Sequence, residues 1–167
     1  EINQFLDCVT LKYRTFFLTA TLTGLRRGEL LGLQGRDIDW NHNQIHVKRS
    51  LWNGQVVSPK TKSSVRRVDM TPTLAQELRR HKFSHSIEDS GFVFCNAEGK
   101  PLSPDSIVRR QFLPALERAG VKRVRFHDLR HTNVALRLEQ GQNIKYIQNQ
   151  LGHASIQTTI DRYGHLL

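Results

Sequence analysis

Strand-forming residues are concentrated in one short part of this chain, residues 45–70, and helical patterns lie on both sides of it. Residues 44–48 alternate apolar and polar side chains, and the segments 52–57 and 65–70 are also typical of strands. Asn53-Gly54 is a strong signal for a two-residue turn between strands. These patterns predict a small three-stranded antiparallel sheet.

Apolar residues recur at helical spacing elsewhere in the chain. They predict one amphipathic helix over residues 3–23 and a second, short helix over residues 27–33. Further helices are predicted over residues 72–82, 104–119, 127–140, 143–150 and 155–163, from N-cap and proline signals at their starts and glycines at their ends. The predicted fold class is therefore α+β, mainly α-helical with one small sheet, in a single domain over residues 1–167.

The chain carries a large excess of positive charge. Its 167 residues include 25 Lys and Arg against 15 Asp and Glu, a formal net charge of +10. An excess of this size predicts a polyanionic partner, with nucleic acid ahead of an anionic membrane surface. No apolar run approaches the roughly 20 residues that a membrane span requires, so we expect no membrane partner.

Side chains suited to phosphodiester cleavage occur in five short segments. Tyrosine is a nucleophile, but its hydroxyl has a pKa of about 10 and needs cationic neighbours or a base. Guanidinium groups match two phosphate oxygens at once, and lysine or histidine can protonate a departing oxygen. The segments are Thr-Gly-Leu-Arg-Arg-Gly-Glu-Leu at 23–30, Pro-Lys-Thr-Lys at 59–62, His-Asp-Leu-Arg-His at 127–131, Leu-Gly-His at 151–153 and Tyr-Gly-His at 163–165.

In this order and spacing, the segments resemble the catalytic domain of tyrosine recombinases, the phage integrase family. The resemblance extends from about Phe16 to Leu167, and the family's five-part pattern plus tyrosine is complete. His-x-x-Arg alone is a weak signal, whereas the whole ordered set is highly specific. The resemblance implies the DNA breaking-rejoining enzyme fold. It also implies a fragment that lacks the N-terminal core-binding domain that family members usually carry.

The resemblance assigns the phosphate clamp to two arginines. Arg26 follows a glycine break that can present it at a helix start, and Arg130 completes the His-x-x-Arg motif. Arg27 is the better candidate for an ordinary surface arginine. Glu29 is expected to orient Arg26 or the local backbone, because recombinases carry an acid at this place.

The resemblance also assigns the groups that move protons. Tyr163 is the nucleophile, and His127 is either a proton acceptor or a hydrogen-bond donor to the phosphate. His153 is expected to donate a further hydrogen bond to the phosphate. Lys60 is the expected general acid on the hairpin, and Lys62 is its rival, which spacing alone does not remove.

The implied function is site-specific DNA recombination by an integrase of a phage or mobile element. The enzyme would form a 3′-phosphotyrosine link and a free 5′-hydroxyl, and a 5′-hydroxyl from a partner duplex would reverse the step. Because bond energy is kept, no ATP, metal or other cofactor is implied. The implied partners are double-stranded recombination sites, with a tetramer on DNA and a monomer in isolation, in the cytoplasm of a bacterium.

Three other interpretations compete for the same residues. A type IB topoisomerase would religate the same strand, and a basic DNA-binding module would not cleave at all. A zinc site could use His127 and His131 with His153 or His165, although the glutamate base of zinc peptidase motifs is missing. We expect His131 to be a packing or backbone-bonding residue. The ordinary interpretation of Tyr163 alone is a half-buried aromatic side chain.

Overall fold

The computed structural model describes residues 1–166, and the predicted domain end, Leu167, lies outside them. Helices α1 to α4 are Ile2–Cys8, Leu11–Thr23, Arg27–Leu31 and Pro72–Ser84. Helix α5 (Pro104–Ser106) continues through a π-helical turn, Ile107–Phe112, into α6, Leu113–Arg118. Helices α7 to α9 are Asp128–Glu139, Ile144–Leu151 and Ile156–Tyr163. Strands β1 to β5 are Ile38–Asp39, Gln44–Val47, Ser50–Trp52, Gln55–Val57 and Arg66–Asp69.

The three-stranded sheet has the order β1-β2-β5 and is antiparallel, with Ile45 opposite Val68. The prediction that residues 52–57 supply one of its strands is wrong, because those residues form a separate ribbon of β3 and β4. Ile45 and Val68 are fully buried, whereas every residue of β4 is exposed. Within the ribbon only Leu51 of β3 is buried, so β4 has no apolar side chain to place in the core. The predicted turn is confirmed, since Asn53 and Gly54 both have positive φ, 48° and 74°.

The predicted single helix over residues 3–23 is wrong, because it divides into α1 and α2. Val9 and Thr10 between them have extended backbone. In one straight helix, Phe5 and Phe17 would lie about 18 Å apart along the axis. Their ring centroids are 5.5 Å apart, and Phe5 also meets Phe112 at 5.4 Å. The break lets these buried rings meet, and this packing overrides the helical periodicity.

The predicted helix starts at Thr71 and Ser103 and the predicted stop at Gly152 are confirmed. Thr71 caps α4 by accepting the Leu74 N–H, and Ser103 caps α5 in the same way. Gly152 ends α8 in the left-handed conformation, with φ of 69°. A Cβ at Gly152 would lie 2.9 Å from the Ser63 carbonyl oxygen and from Cδ of Arg66. Glycine is therefore needed here both for the turn and for close packing against the segment before β5.

The buried apolar side chains form two hydrophobic clusters. The larger one joins α1 to α6 with the sheet, and the smaller one consists of Val134, Ile147, Leu151 and Tyr163. Helix α7 packs against α2, while α8 packs against β5 and α9. This packing brings together α7, α8 and α9, which hold or adjoin most of the predicted site residues. Within residues 1–166, no helix is both long and apolar enough to cross a membrane.

Candidate active site

The structure brings four of the predicted site residues to one cavity of about 280 Å³, which Arg26, His127, Arg130 and His153 line. They come from the start of α3, both ends of the α7 N-terminal turn and the segment after α8. Arg162 of α9 lines the same cavity, although it belongs to none of the sequence motifs that predicted the site. The cavity thus gathers cationic and imidazole groups from four separate parts of the chain.

Arg26 is held at the start of α3 by Glu29. Its backbone N–H donates to Glu29 Oε2 at 2.8 Å, and its Nη1 donates to Oε1 at 3.2 Å. The Arg26 side chain remains 41% exposed, so most of its donors are available to a ligand. Arg27 is exposed and does not line this cavity. The neighbouring arginines therefore have the different placements that the sequence predicted.

Arg66 is the structural partner that the sequence analysis missed. Its Nη1 and Nη2 donate to the two Glu29 carboxylate oxygens at 2.9 and 3.1 Å. Its Nε donates to the Gln150 carbonyl at 2.7 Å, so it joins β5 to α3 and α8. A sequence signal exists, because Arg66 shares the strand face of the buried Val68 two residues later. An arginine on an inward face requires a partner.

The Glu29 carboxyl is buried, and burial alone would raise its pKa. The hydrogen bonds and charge of Arg66, followed by those of Arg26, outweigh that effect and lower the pKa below its ordinary value. Glu29 is therefore ionised at neutral pH and neutralises one of the two arginines beside it. The remaining positive charge faces the cavity.

Arg130 is 3% exposed and is fixed by backbone carbonyls rather than by a carboxylate. Its Nη1 donates to the Gly24 carbonyl and its Nη2 to the Leu151 carbonyl, each at 2.6 Å. Burial and then the nearby charges of Arg26 and Arg66 lower its pKa to about 9. A buried guanidinium held only by neutral acceptors favours an anion in the cavity that it lines.

His153 is 7% exposed, and its Nδ1 lies 2.8 Å from the Thr159 hydroxyl. Burial, followed by the charges of Arg130 and Arg26, lowers its pKa to about 4. The imidazole is therefore neutral at pH 7. When Nδ1 accepts the Thr159 hydroxyl proton, the ring proton lies on Nε2, which can donate to a ligand.

His127 precedes α7 and has an exposed ring that lies edge-on to the ring of His131, with centroids 5.2 Å apart. Partial desolvation, followed by the charges of Arg130, His131 and Arg162, lowers its pKa. The deprotonated imidazole therefore dominates at neutral pH.

Tyr163 is 4% exposed, belongs to the smaller hydrophobic cluster and is not among the residues that line the cavity. Its hydroxyl oxygen is 2.5 Å from Nδ1 of His131. The expectation that His131 is a packing or backbone-bonding residue is therefore wrong. Burial raises the pKa of the Tyr163 hydroxyl, and the charges of Arg130 and Arg162 oppose that rise.

Lys60 is not in the wall of the first cavity. It lines a neighbouring cavity of about 400 Å³, and Arg26 lines both. Lys62 begins the 3₁₀ turn Lys62–Ser64, is exposed and lines neither cavity. Lys60 therefore shares a cavity wall with Arg26, whereas Lys62 does not.

Comparison with known proteins identifies the family to which the chain belongs. The profile of the phage integrase family matches residues 1–167. The chain belongs to the phage integrase family. It is 37% identical over 180 residues to the ICEBs1 integrase of Bacillus subtilis (strain 168), covering 99% of this chain and 49% of that protein. This member of the phage integrase family thus spans about half the length of the curated relatives it matches.

Solved structures of similar fold confirm the predicted fold class. The Tn1549 transposon integrase in complex with transposon right end DNA has a TM-score of 0.82 at 24% identity, over 97% of this chain and 59% of that chain. The XerA recombinase has a TM-score of 0.77 at 24% identity, over 98% of this chain and 61% of that chain. This phage integrase family chain therefore has a tyrosine recombinase catalytic fold.

The low pKa of His153 predicts a pH-dependent contribution to stability. The unfolded chain binds a proton with a pKa of about 6.5, and the folded protein does so only near 4. The unfolded state therefore takes up more protons as pH falls from 6.5 to 4, which lowers the free energy of unfolding by on the order of 2–3 kcal/mol.

The measurement is chemical denaturation of the wild type and of His153→Asn between pH 4 and pH 7. Asparagine keeps an acceptor for Thr159 but does not titrate, so the variant should lose much of the slope over this range. His165→Asn, at an exposed position, is the control and should keep the wild-type slope. Equal slopes in the wild type and His153→Asn would contradict the assignment of a neutral His153.

Proposed function

We propose that this chain is the strand-cleaving and strand-joining part of a site-specific DNA recombinase. The observation that carries the proposal is the convergence of Arg26, Arg130 and Arg162 on one cavity, with Tyr163 within range of the charges of Arg130 and Arg162. Burial raises the pKa of this hydroxyl, and the nearby charges of Arg130 and Arg162 oppose that rise. Family membership and the excess of positive charge support DNA as the substrate.

In the proposed reaction, the Tyr163 oxygen bonds to the phosphorus of a scissile phosphodiester. The bond from phosphorus to the 5′ oxygen breaks, which leaves a 3′-phosphotyrosine and a 5′-hydroxyl. Rejoining is the reverse attack by a 5′-hydroxyl of a partner duplex. Since the phosphotyrosine keeps the energy of the broken bond, the cycle requires no ATP.

The cationic groups stabilise the crowded phosphorus. Arg130 is prevented from rotating by its two carbonyl acceptors, and Arg26 is held by Glu29, so both donors are in place before the charge develops. Preorganised donors of this kind typically contribute about 10²–10³-fold to rate. His127 and His153 line the same cavity, and both are proposed to donate hydrogen bonds to phosphate oxygens. These groups supply the charge stabilisation without a metal ion.

The proposed partners are double-stranded recombination sites. Exchange of both strands between two duplexes requires four cleavages, so four copies are proposed to assemble on DNA. The chain is proposed to be the catalytic domain of a longer protein with a separate core-binding domain, because it spans about half of its relatives. The Tn1549 integrase to which it is similar was solved on its transposon end DNA, which supports this substrate class.

Tyr163→Phe should abolish covalent attachment to DNA and leave DNA binding within about twofold, because only the nucleophilic oxygen is removed. The substrate is a nicked duplex that carries the DNA flanking the gene, labelled at the 5′ end of the strand to be cleaved. The full-length protein is trapped on it and separated on a denaturing gel. Tyr13→Phe is the matched control and should form the adduct as the wild type does. An adduct that persists in Tyr163→Phe would exclude Tyr163 as nucleophile.

The two hairpin lysines are distinguished by the leaving group. Lys60→Ala should slow cleavage of an ordinary phosphodiester by about 10²-fold or more, because the 5′ oxygen then lacks its acid. Sulfur at the 5′-bridging position needs no proton to depart, so this substrate should restore the rate. Lys62→Ala is the matched control and should show a small defect that sulfur does not change. If sulfur restored cleavage by Lys62→Ala and not by Lys60→Ala, Lys62 would be the general acid instead of Lys60.

A further inference from the structure

His131 is the group in direct contact with the proposed nucleophile. It lies one residue after Arg130 in the first turn of α7, and its Nδ1 is 2.5 Å from the Tyr163 hydroxyl oxygen. The two rings have centroids 5.4 Å apart. A tyrosine that attacks phosphorus must lose this hydroxyl proton, and an imidazole nitrogen at hydrogen-bond distance can accept it.

A carboxylate stands on the other side of the imidazole. Nε2 of His131 is 3.8 Å from Oδ1 of Asp128, which is too far for a direct hydrogen bond but close enough for attraction. Asp128 is itself fixed by Arg125, whose backbone N–H and Nη2 donate to it at 2.8 and 3.0 Å. The carboxylate favours the tautomer with the proton on Nε2. That tautomer leaves Nδ1 free to accept from Tyr163.

Cations face His131 from two elements. Arg130 lies in α7, Arg125 lies three residues before α7 begins, and Arg162 lies in α9. Burial is the larger influence, and together with these arginines it outweighs the attraction of Asp128 and lowers the His131 pKa. The imidazole is therefore deprotonated at neutral pH, as an acceptor has to be.

His127 is the competing acceptor, because the family resemblance left that role open to it. Its ring is edge-on to that of His131, and it lines the cavity beside Arg26 and Arg130. That position suits contact with a phosphate oxygen, whereas His131 already contacts the nucleophile. The two histidines thus face different atoms of one reaction.

We propose that His131 is a catalytic residue that accepts the Tyr163 proton during cleavage and returns it during rejoining. As the bond from the tyrosine oxygen to phosphorus forms, the proton moves to Nδ1 and the imidazole becomes an imidazolium. The bond from phosphorus to the 5′ oxygen breaks, and that oxygen takes its proton from Lys60. The reverse sequence restores neutral His131 and the free hydroxyl. This assignment rests on the proposed recombinase function.

The test compares single-turnover cleavage by the full-length wild type, His131→Asn and His131→Ala on the nicked duplex. The Asn Oδ1 atom takes the approximate place of Nδ1 and keeps an acceptor for the hydroxyl, but it cannot be protonated at neutral pH. Both variants should cleave about 10²–10³-fold more slowly at pH 7 and bind DNA as the wild type does. Their rates should rise with hydroxide concentration up to about pH 8, below the pKa of Arg130, whereas the wild-type rate levels off once His131 is deprotonated.

The bridging-sulfur substrate locates the proton transfer. It should restore cleavage by Lys60→Ala and leave His131→Asn slow, because the defect of the latter is at the nucleophile. Near wild-type cleavage by His131→Asn would overturn the proposal and leave His131 an orienting role only. Rescue of His131→Asn by sulfur would also overturn it. Failure of the wild type itself to form an adduct would instead refute the recombinase function.

A measurement on the wild type alone tests the proposal even if the His131 variants do not fold. The ¹⁵N and ¹H shifts of the histidine rings report the tautomer and protonation of His131 directly. We expect a neutral ring with its proton on Nε2, and a pKa that coincides with the rising limb of the cleavage rate. A proton on Nδ1 would overturn the proposal, since that nitrogen could not accept.

Discussion

The buried ion pair between Glu29 and Arg66 is the interaction on which the rest of the site depends. Both side chains are 6% exposed, and the guanidinium uses two parallel hydrogen bonds to the carboxylate. Arg66 also bonds to α8, and Glu29 bonds to the backbone and side chain of Arg26. Strand β5 and helices α3 and α8 therefore share one polar junction. Removing one partner of such a pair typically costs about 3–5 kcal/mol.

A second constraint is the crowding of positive charge around an otherwise uncharged cavity. Arg130 is held by carbonyls, and its pKa falls to about 9 because it is buried near Arg26 and Arg66. Burial, together with the charges of Arg130 and Arg26, lowers the pKa of His153 to about 4. The histidines thus remain neutral donors and acceptors while the arginines stay charged. A phosphodiester in the cavity would relieve the repulsion, so the site is arranged for an anion.

Local patterns predicted much of this molecule. The helix caps at Thr71 and Ser103 and the turn at Asn53-Gly54 depend on residues adjacent in sequence, and all three are confirmed. The division of the first helix was not predictable, because it follows from the packing of Phe5 against rings distant in sequence. The third strand of the sheet was missed for a similar reason. Two residues of β1 carry little periodic signal, and only their pairing with β2 identifies them.

In the site, too, local motifs were predictable and contacts between residues distant in sequence were not. Ordered motifs named Arg26, His127, Arg130 and His153, which the structure gathers around one cavity. Their supports lie elsewhere: Arg66 reaches Glu29 from a strand that is 37 residues away in sequence, and His131 reaches Tyr163 from 32 residues away. Such contacts are set by the tertiary fold, so a single sequence contains the groups but not their partners.

The most direct test of this dependence is a double-mutant cycle on Glu29→Met and Arg66→Met, with stability and single-turnover cleavage measured in each protein at saturating DNA. Replacing both charges removes the uncompensated buried ion that each single variant leaves, so the double variant should recover much of the lost free energy of unfolding. Its cleavage rate should nevertheless stay about 10²-fold below wild type, because Arg26 no longer has its holder. Recovery of cleavage together with stability would contradict the claim that this ion pair places the catalytic arginine.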